Sequence, residues 1–251
     1  MRPDWETTLD GIRDIKVYQN KGGYRFSVDA LLLSSFVNVK HVGNIADLGT
    51  GSGIIGLLLA RKYFHAKVLL VELQESLYAL AEKNIALNGM EDRVKVVLAD
   101  IKDMKNTAPP LTEDLVVSNP PFRKPATGRL SPGEEKAVAR HELRLKFADL
   151  AETASYLLKA RGRFCMIYHP ERLPEVIDTL RRNRLEPKRA RFVHNDINAA
   201  SKMVLIEAVK DGRAGLKVEK PLFMYKEKGG HTDELKVMYG KDLPEARPID
   251  L

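Results

Sequence analysis

The sequence predicts an α/β protein in which a mostly parallel sheet carries helices on both faces. From about residue 43 onward, short apolar runs typical of buried strands alternate with longer stretches in which apolar residues recur every three or four positions. A glycine-rich turn at residues 49–53 separates the first apolar run from the first helical pattern. Ligands of open α/β sheets bind beyond the carboxyl ends of the strands, so this turn also predicts where a ligand binds.

The individual elements follow from the same alternation. Buried strands are predicted over residues 44–48, 67–71, 94–99, 115–118 and 162–168. Helices are predicted over residues 53–63, 74–88, 143–159 and 170–183, the last with proline in its first turn, where an N–H is not needed. Residues 189–193 and 203–209 are expected to close the sheet as a β-pair. A further helix is expected over residues 30–37, with Ser27 or Asp29 as its cap.

Length and composition limit the classes of protein. The 251 residues suit one domain with an N-terminal extension (1–42), a core (43–210) and a C-terminal extension (211–251). The polar start and the short apolar runs predict a soluble, cytoplasmic protein without membrane contact, while the oligomeric state stays open. The single cysteine, Cys165, excludes an internal disulfide and a cysteine-based metal site. We expect this thiol to be buried and inert, and we expect no bound metal.

The glycine-rich turn predicts a cofactor site. Glycines let the backbone approach a ligand closely, because no side chain intervenes and positive φ is cheap. Asp47 stands two residues before the first glycine, where it can organise the turn and hold an ammonium group. Glu72 ends the second strand, where a carboxylate accepts hydrogen bonds from ribose hydroxyls, and Asp100 ends the third, near an adenine amino group. We predict that S-adenosylmethionine contacts Phe26, Asp47, Gly49, Thr50, Gly51, Gly53, Glu72, Leu73, Asp100, Ile101 and Asn119.

A nicotinamide cofactor is the alternative at this turn, since residues 51–56 fit the pattern G-x-G-x-x-G and an acidic residue follows about 20 positions later. A pyrophosphate, however, favours a turn free of negative charge. Here acidic residues recur strand by strand at Asp47, Glu72 and Asp100, which suits a cationic ligand without phosphate. S-adenosylmethionine is therefore preferred over a dinucleotide, and over a tight turn that binds nothing.

The fourth predicted strand is followed by Asn119-Pro120-Pro121-Phe122, which predicts methylation of an amino nitrogen. The NH₂ group of adenine, or of a glutamine amide, is a poor nucleophile because its lone pair is delocalised. The Asn119 side-chain oxygen and the Pro120 carbonyl can accept its two protons and direct the lone pair at a methyl group. The prolines stiffen the turn, and Phe122 can stack on a planar base, worth about 1–3 kcal/mol. A strand-ending turn without catalytic function is the alternative.

Together these motifs resemble the bacterial tRNA-valine adenine-N6 methyltransferases, which modify the adenine next to the anticodon. The resemblance rests on residues 24–33 (YRFSVDALLL), 47–53, 119–122 and 140–142, and it covers most of the chain. It implies a Rossmann-like fold with seven strands and a tRNA substrate. In that family the tetrapeptide binds the target amine and the glycine-rich turn binds S-adenosylmethionine. These roles fall on Asn119, Pro120, Pro121, Phe122, and on Asp47, Gly49, Gly51 and Glu72.

Other substrates of the same tetrapeptide remain open. Related enzymes methylate adenine in rRNA or DNA, or glutamine N5 in a protein such as a release factor. The glutamine class usually carries a separate helical N-terminal domain, and 42 residues are few for one. A binding module that has lost its activity is disfavoured by the intact Asn119 and Phe122. The small size of the chain favours an adenine that is already exposed in a loop over one inside a stem.

The formal net charge of +7 and the pI of about 9.3 admit a polyanionic partner. One basic cluster follows the tetrapeptide and includes Arg123, Lys124 and Arg140, which we expect to contact RNA together with His141. His141 and Glu142 could equally form an ordinary helix start. A second basic cluster comprises Arg181, Arg182, Arg184, Lys188, Arg189 and Arg191. A solvated surface without a partner is at least as good an interpretation of this second cluster.

Overall fold

The computed structural model describes residues 7–20, 28–120, 147–227 and 229–240. Within them the chain forms a two-stranded hairpin, a larger sheet and helices on both faces of that sheet. The strands are β1 (Thr7–Ile12), β2 (Ile15–Asn20), β3 (Asn44–Leu48), β4 (Lys67–Glu72), β5 (Val94–Leu98), β6 (Glu113–Ser118), β7 (Leu158–Tyr168), β8 (Leu185–His194), β9 (Ser201–Lys210), β10 (Lys217–Val218) and β11 (Leu222–Phe223). The α-helices are α1 (Val28–Phe36), α2 (Ile54–Lys62), α3 (Glu75–Leu87), α4 (Met104–Thr107), α5 (Phe147–Leu157), α6 (Leu173–Arg182) and α7 (Asp233–Tyr239).

The large sheet has the strand order β10-β8-β9-β7-β6-β3-β4-β5, and β11 also pairs with β8. The strands from β7 to β5 run parallel to one another, and β9 runs antiparallel between β7 and β8. The seven long strands, β3 to β9, confirm the predicted α/β fold with a mostly parallel sheet. The two-residue strands β10 and β11 extend its edge and were not expected.

The sheet separates two hydrophobic cores, because successive strand residues point to opposite faces. In β3, Ile45 packs into the core shared with the hairpin and with α1, α2, α3 and α7. Its neighbours Ala46 and Leu48 pack into the core shared with α4, α5 and α6. Both faces of this central strand are therefore covered, which explains why its sequence is a continuous apolar run rather than an alternating one.

Most predicted elements are confirmed within one or two residues at each end, and the closing β-pair is present as β8 and β9. The predicted helix over residues 143–159 runs too far, because Leu158 already pairs with Glu113 as the first residue of β7. The predicted helix over 170–183 begins as a separate 3₁₀ turn at Pro170–Arg172. Asp29 lies inside the first turn of α1 rather than before it, and Ser27 lies outside the described residues.

Besides β10 and β11, the sequence analysis missed the N-terminal hairpin, the short helix α4 and α7. The hairpin buries Ile12, Ile15 and Val17 against the sheet's helical layer. Helix α7 begins after Thr232, whose hydroxyl accepts a hydrogen bond from the Leu235 amide at 3.3 Å. None of the helices in the described ranges is long and apolar enough to cross a membrane.

Candidate active site

The candidate site lies where the order of connections in the sheet reverses. The chain passes from β3 outward to β4 and β5, then returns to place β6 on the other side of β3. In open α/β sheets such a reversal opens a crevice at the carboxyl ends of the two central strands. Here those ends are joined by a 2.7 Å hydrogen bond from the buried Ser118 hydroxyl to the Leu48 carbonyl. The glycine-rich turn after β3 therefore begins beside Asn119, which follows β6.

The turn depends on glycine for its backbone conformation. Gly49, Gly51 and Gly53 have φ angles of 74°, 60° and 88°, in the left-handed region that other residues rarely adopt. The amides of Gly49 and Thr50 both donate to the Val71 carbonyl of β4, at 2.9 and 3.0 Å. A Cβ atom added at Gly51 would meet no described atom within 4 Å. The turn thus presents open backbone at the edge of the sheet, as predicted.

Asp47 organises the turn from within β3, as the sequence predicted. Its Oδ2 accepts hydrogen bonds from the Thr50 hydroxyl at 2.6 Å and from the Gly56 amide at 3.0 Å. Its Oδ1 is buried and has no hydrogen-bond partner among the described residues. Burial raises the pKa of this carboxyl to about 7, an effect that the two hydrogen bonds oppose and that the nearby Glu72 increases slightly.

Glu72 fastens the turn to the end of β4. Its Oε2 accepts from the Gly51 amide at 2.8 Å, and its Oε1 accepts from the amides of Leu73 and Gln74 at 2.9 and 2.8 Å. The side chain is buried. A carboxylate offers about four lone-pair positions, so three amides leave capacity for one further donor. Glu72 therefore has a structural role in the turn that the sequence analysis did not anticipate.

Asp100 and Ile101 follow β5 at the same edge. Asp100 caps the 3₁₀ turn Ile101–Asp103, and its Oδ1 accepts from the Lys102 amide at 3.0 Å. Ile101 is buried, and its Cδ1 would lie 3.9 Å from a Cβ atom added at Gly49. Its carbonyl accepts a 3.1 Å hydrogen bond from Thr153 of α5. An apolar side chain thus borders the glycine-rich turn from the β5 side.

Asn119 brings an unpaired acceptor to the same crevice. Its Oδ1 is buried and has no hydrogen-bond partner among the described residues, and Pro120 after it is buried. A buried amide oxygen without a donor is costly, about 1–3 kcal/mol, and rare in folded proteins. Two side-chain oxygens that have no partner among the described residues, on Asp47 and Asn119, therefore lie at the carboxyl ends of neighbouring strands.

Several predicted site residues lie outside the described residues. They are Phe26, Pro121, Phe122, Arg123, Lys124, Arg140, His141 and Glu142. The predicted site residues that the structure describes all lie at or just beyond the ends of β3, β4, β5 and β6. They are Asp47, Gly49, Thr50, Gly51, Gly53, Glu72, Leu73, Asp100, Ile101, Asn119 and Pro120. The structure thus places residues predicted to bind the cofactor and residues predicted to bind the target amine at the same edge of the sheet.

The second basic cluster is engaged within the protein. Each of its arginines lies within 3.1 Å of a carboxylate oxygen, and its lysine donates to backbone carbonyls. The pairs are Arg181–Glu186, Arg182–Asp178, Arg184–Asp211, Arg189–Glu207 and Arg191–Glu234, and Lys188 donates to Arg213 and Ala214. These contacts favour the interpretation without an RNA partner for this cluster.

Cys165 and two histidines outside the candidate site have structural surroundings. Cys165 is buried in β7, as expected, and burial raises the pKa of its thiol. His194 Nδ1 lies 2.8 Å from the Ala199 carbonyl, and His169 Nδ1 lies 3.3 Å from the Lys202 carbonyl. His194 therefore helps to hold the connection between β8 and β9, whereas His169 links the end of β7 to β9.

Three residues near the site were missed by the sequence analysis. Ser118 joins β6 to β3, and Gly56 lets α2 approach β4 so closely that an added Cβ would lie 2.1 Å from Leu70 Cδ2. Asn84 of α3 is fully buried and contacts the glycine-rich turn. A polar residue of low helix propensity on the buried face of a helix is the signal that could have identified Asn84.

The donor and acceptor set fits S-adenosylmethionine. The ligand carries an ammonium group, which suits the unpaired oxygen of Asp47, and hydroxyl donors, which suit the remaining capacity of Glu72. The apolar Ile101 offers a surface for a purine ring. Among the described residues, no group of three or more His, Cys, Asp or Glu side chains could hold a metal ion.

Solved structures share this fold. A protein of Agrobacterium tumefaciens, described as a predicted O-methyltransferase, superposes with a TM-score of 0.69 over 88% of this chain and 100% of its own, at 24% identity. TrmN from Thermus thermophilus superposes with a TM-score of 0.51 over 72% of this chain and 48% of its own, at 19% identity. At these identities the comparison shows the fold alone, a Rossmann-like methyltransferase fold.

Sequence comparisons identify the family. Residues 26–146 match the model of the methyltransferase small domain. The tRNA1(Val) (adenine(37)-N6)-methyltransferase of Phocaeicola vulgatus is 30% identical over 77% of this chain and 80% of its own length. The enzyme of the same name from Pedobacter heparinus is 29% identical over 90% of this chain and 94% of its own. The chain therefore belongs to the tRNA1(Val) (adenine(37)-N6)-methyltransferase family and is an S-adenosylmethionine-dependent N-methyltransferase.

Proposed function

We propose that this protein transfers a methyl group from S-adenosylmethionine to the N6 atom of an adenine in tRNA, next to the anticodon. The observation that carries the proposal is the buried Oδ1 of Asn119, which has no hydrogen-bond partner in the described part of the chain and lies one strand away from the glycine-rich turn. The relatives from Phocaeicola vulgatus and Pedobacter heparinus support the choice of substrate, because both are named for adenine 37 of a valine tRNA.

The cofactor is assigned to the turn and to the strand ends around it. The free oxygen of Asp47 accepts from the methionine ammonium group, and Glu72 accepts from the ribose while holding the turn through Gly51. Asp100 and Ile101 flank the adenine ring, with Leu73 beside them. When bound, S-adenosylmethionine supplies an electrophilic methyl group on a sulfonium sulfur. The remaining task of the protein is orientation, because this leaving group needs neither a metal nor a strong base.

The target amine is assigned to Asn119 and Pro120. The Asn119 side-chain oxygen and the Pro120 carbonyl accept the two N–H groups, which favours a pyramidal nitrogen with its lone pair directed at the methyl carbon. With the cofactor bound, the two oxygens would stabilise the positive charge that develops on the nitrogen as it takes over the methyl group from sulfur. The nitrogen would then lose one proton to solvent water, which leaves the neutral methylated amine. Pro121 and Phe122 complete this site, with Phe122 stacked on the base.

The RNA contacts are assigned to the segment after the tetrapeptide. Residues 121–146 contain seven Lys or Arg and three Glu, which gives this segment a net positive charge close to the target amine. Arg123, Lys124, Arg140 and His141 are the proposed contacts. We also propose that the chain acts as one domain, in the cytoplasm, where its tRNA substrate is found.

A substrate panel tests the assignment. Unmodified total tRNA, rRNA, duplex DNA and a release factor are each incubated with the protein and methyl-labelled S-adenosylmethionine, and the products are digested and analysed by mass spectrometry. We expect label in N6-methyladenosine from tRNA alone. Label in rRNA, DNA or glutamine, with none in tRNA, would replace tRNA by that substrate.

A further inference from the structure

The N-terminal hairpin is attached to the site by one asparagine. Asn84 of α3 is fully buried, and its side chain contacts two separate segments of the chain. Its Oδ1 accepts from the Tyr18 amide of β2 at 2.7 Å, and its Nδ2 donates to the Tyr18 carbonyl at 3.1 Å. The same Nδ2 donates to the Ser52 carbonyl of the glycine-rich turn at 2.9 Å. Both N–H groups of this amide are thus used, and its oxygen accepts one hydrogen bond.

Asn88, one helical turn later, offers a natural comparison. Its Oδ1 accepts from the Lys16 amide at 3.0 Å, and its Nδ2 donates to the Lys16 carbonyl at 2.7 Å. The two asparagines therefore pair with alternate residues along the outer edge of β2, in the way a neighbouring strand would. Only Asn84 reaches the glycine-rich turn as well.

The turn has few other restraints at this point. Ser52 lies between Gly51 and Gly53, which have positive φ and wide conformational freedom. The neighbouring amides are fixed, Gly51 by Glu72 and Gly53 by the Thr50 carbonyl at 3.1 Å. The contact from Asn84 fixes the carbonyl of Ser52. The Ser52–Gly53 peptide unit is thus held on both sides, by the Thr50 carbonyl at its amide and by Asn84, which also binds the hairpin, at its carbonyl.

We propose that Asn84 is a positioning residue for S-adenosylmethionine, through which the hairpin holds the glycine-rich turn in its binding conformation. The hairpin, residues 7–20, lies outside the residues 26–146 that match the methyltransferase domain model. It is thereby an accessory element that acts on the cofactor site through α3. This inference rests on the cofactor site proposed above.

The test compares Asn84→Ala with Asn88→Ala in the full chain. Both variants remove an asparagine side chain that pairs with the same edge of β2, one from α3 and one from the residue that follows α3, but only Asn84→Ala frees the Ser52 carbonyl. Calorimetric titration with S-adenosylmethionine gives the Kd, and thermal unfolding without ligand gives the Tm. We expect both variants to lower the Tm, Asn84→Ala to raise the Kd at least about tenfold, and Asn88→Ala to raise it less than about threefold.

Equal Kd values for the two variants would overturn the proposal. If Asn84→Ala does not fold, Asn84→Asp takes its place, because it keeps an acceptor for the Tyr18 amide and loses the donor to Ser52. Hydrogen exchange of the amides in residues 50–53 gives a second readout, expected to be faster in the Asn84 variant alone. Glu72→Ala separates the cofactor site from the inference. If Glu72→Ala binds S-adenosylmethionine as tightly as the wild type, the cofactor site itself is refuted. If Glu72→Ala binds it more weakly but Asn84→Ala does not, only the role of Asn84 is refuted.

Discussion

Acidification is expected to weaken the binding of S-adenosylmethionine, because Asp47 must be ionised to accept from the methionine ammonium group. The carboxyl is fully buried, and burial raises its pKa to about 7. In the ligand-free protein the folded state therefore binds this proton more tightly than the unfolded chain, whose pKa is about 3.9. The contribution of Asp47 to stability accordingly falls as the pH rises from about 4 to about 7.

The size of the pH effect on the Kd for S-adenosylmethionine follows from the same pKa of Asp47. A cation beside Asp47 Oδ1 favours the carboxylate, so the apparent Kd increases in inverse proportion to the ionised fraction of Asp47 as the pH falls below about 7. If only the carboxylate form binds, lowering the pH from about 7.5 to about 5.5 raises the Kd up to about 25-fold. Over this range the ammonium group of the ligand stays protonated and contributes little to the change.

Isothermal titration calorimetry across this pH range measures the Kd directly. Repeating it in buffers of different ionisation enthalpy gives the number of protons released when the cofactor binds, expected to approach one at acidic pH. The matched control is Asp47→Asn, which keeps the size of the side chain and removes the titrating group. We expect this variant to bind more weakly at every pH and to show a flat profile. A wild-type profile in Asp47→Asn, or a flat profile in the wild type, would refute the role of Asp47.

Two further changes have defined outcomes. Gly56→Ala places a Cβ atom 2.1 Å from Leu70 Cδ2 in the buried core. The overpacking cost of about 1–3 kcal/mol should exceed the gain in helix propensity of about 1 kcal/mol and lower the Tm by a few degrees. An unchanged Tm would show that Leu70 adapts without cost. Arg123→Glu should weaken tRNA binding and reduce its dependence on salt concentration. Arg182→Glu should do neither, because Arg182 pairs with a carboxylate of its own helix. Equal salt dependence in the two variants would count against the assigned RNA surface.

The strand and helix boundaries of the core could be predicted because the parallel strands are covered on both faces. Residues 44–48 form a continuous apolar run bounded by a turn, and β3 occupies the predicted residues. The positions of Asp47, Glu72 and Asn119 could be predicted as well, since parallel strands bring their carboxyl ends to one edge. These are local signals, and each is complete within about ten residues of sequence.

The hairpin could not be found in this way, because the contacts that define it are far apart in sequence. Its outer edge pairs with Asn84 of α3 and with Asn88 directly after α3, which lie 66 and 72 residues away from Tyr18 and Lys16. Its turn contains Arg13 at a φ of 57°, a position at which glycine or asparagine is the usual signal.

The hydrogen-bond partners within the site could not be predicted from the sequence either. The residue types predicted contacts with a ligand, but Glu72 accepts three hydrogen bonds from backbone amides of the protein itself. Which side-chain oxygen stays free depends on packing over several strands. Sequence spacing alone therefore predicted where Asp47 and Asn119 lie, and the structure was needed to identify their unpaired oxygens.

The most direct test of the proposed site is a single-turnover measurement of methyl transfer to unmodified tRNA at saturating S-adenosylmethionine, in the wild type and in Asn119→Ala. Saturation removes differences in cofactor binding, so the rate reports the step at the target amine. We predict label at adenine N6 in the wild type and a rate about 10²–10³-fold lower in Asn119→Ala, the usual cost of removing one group that stabilises developing charge. A rate within about threefold of wild type in Asn119→Ala, or label on another atom, would contradict the assignment of the amine to Asn119.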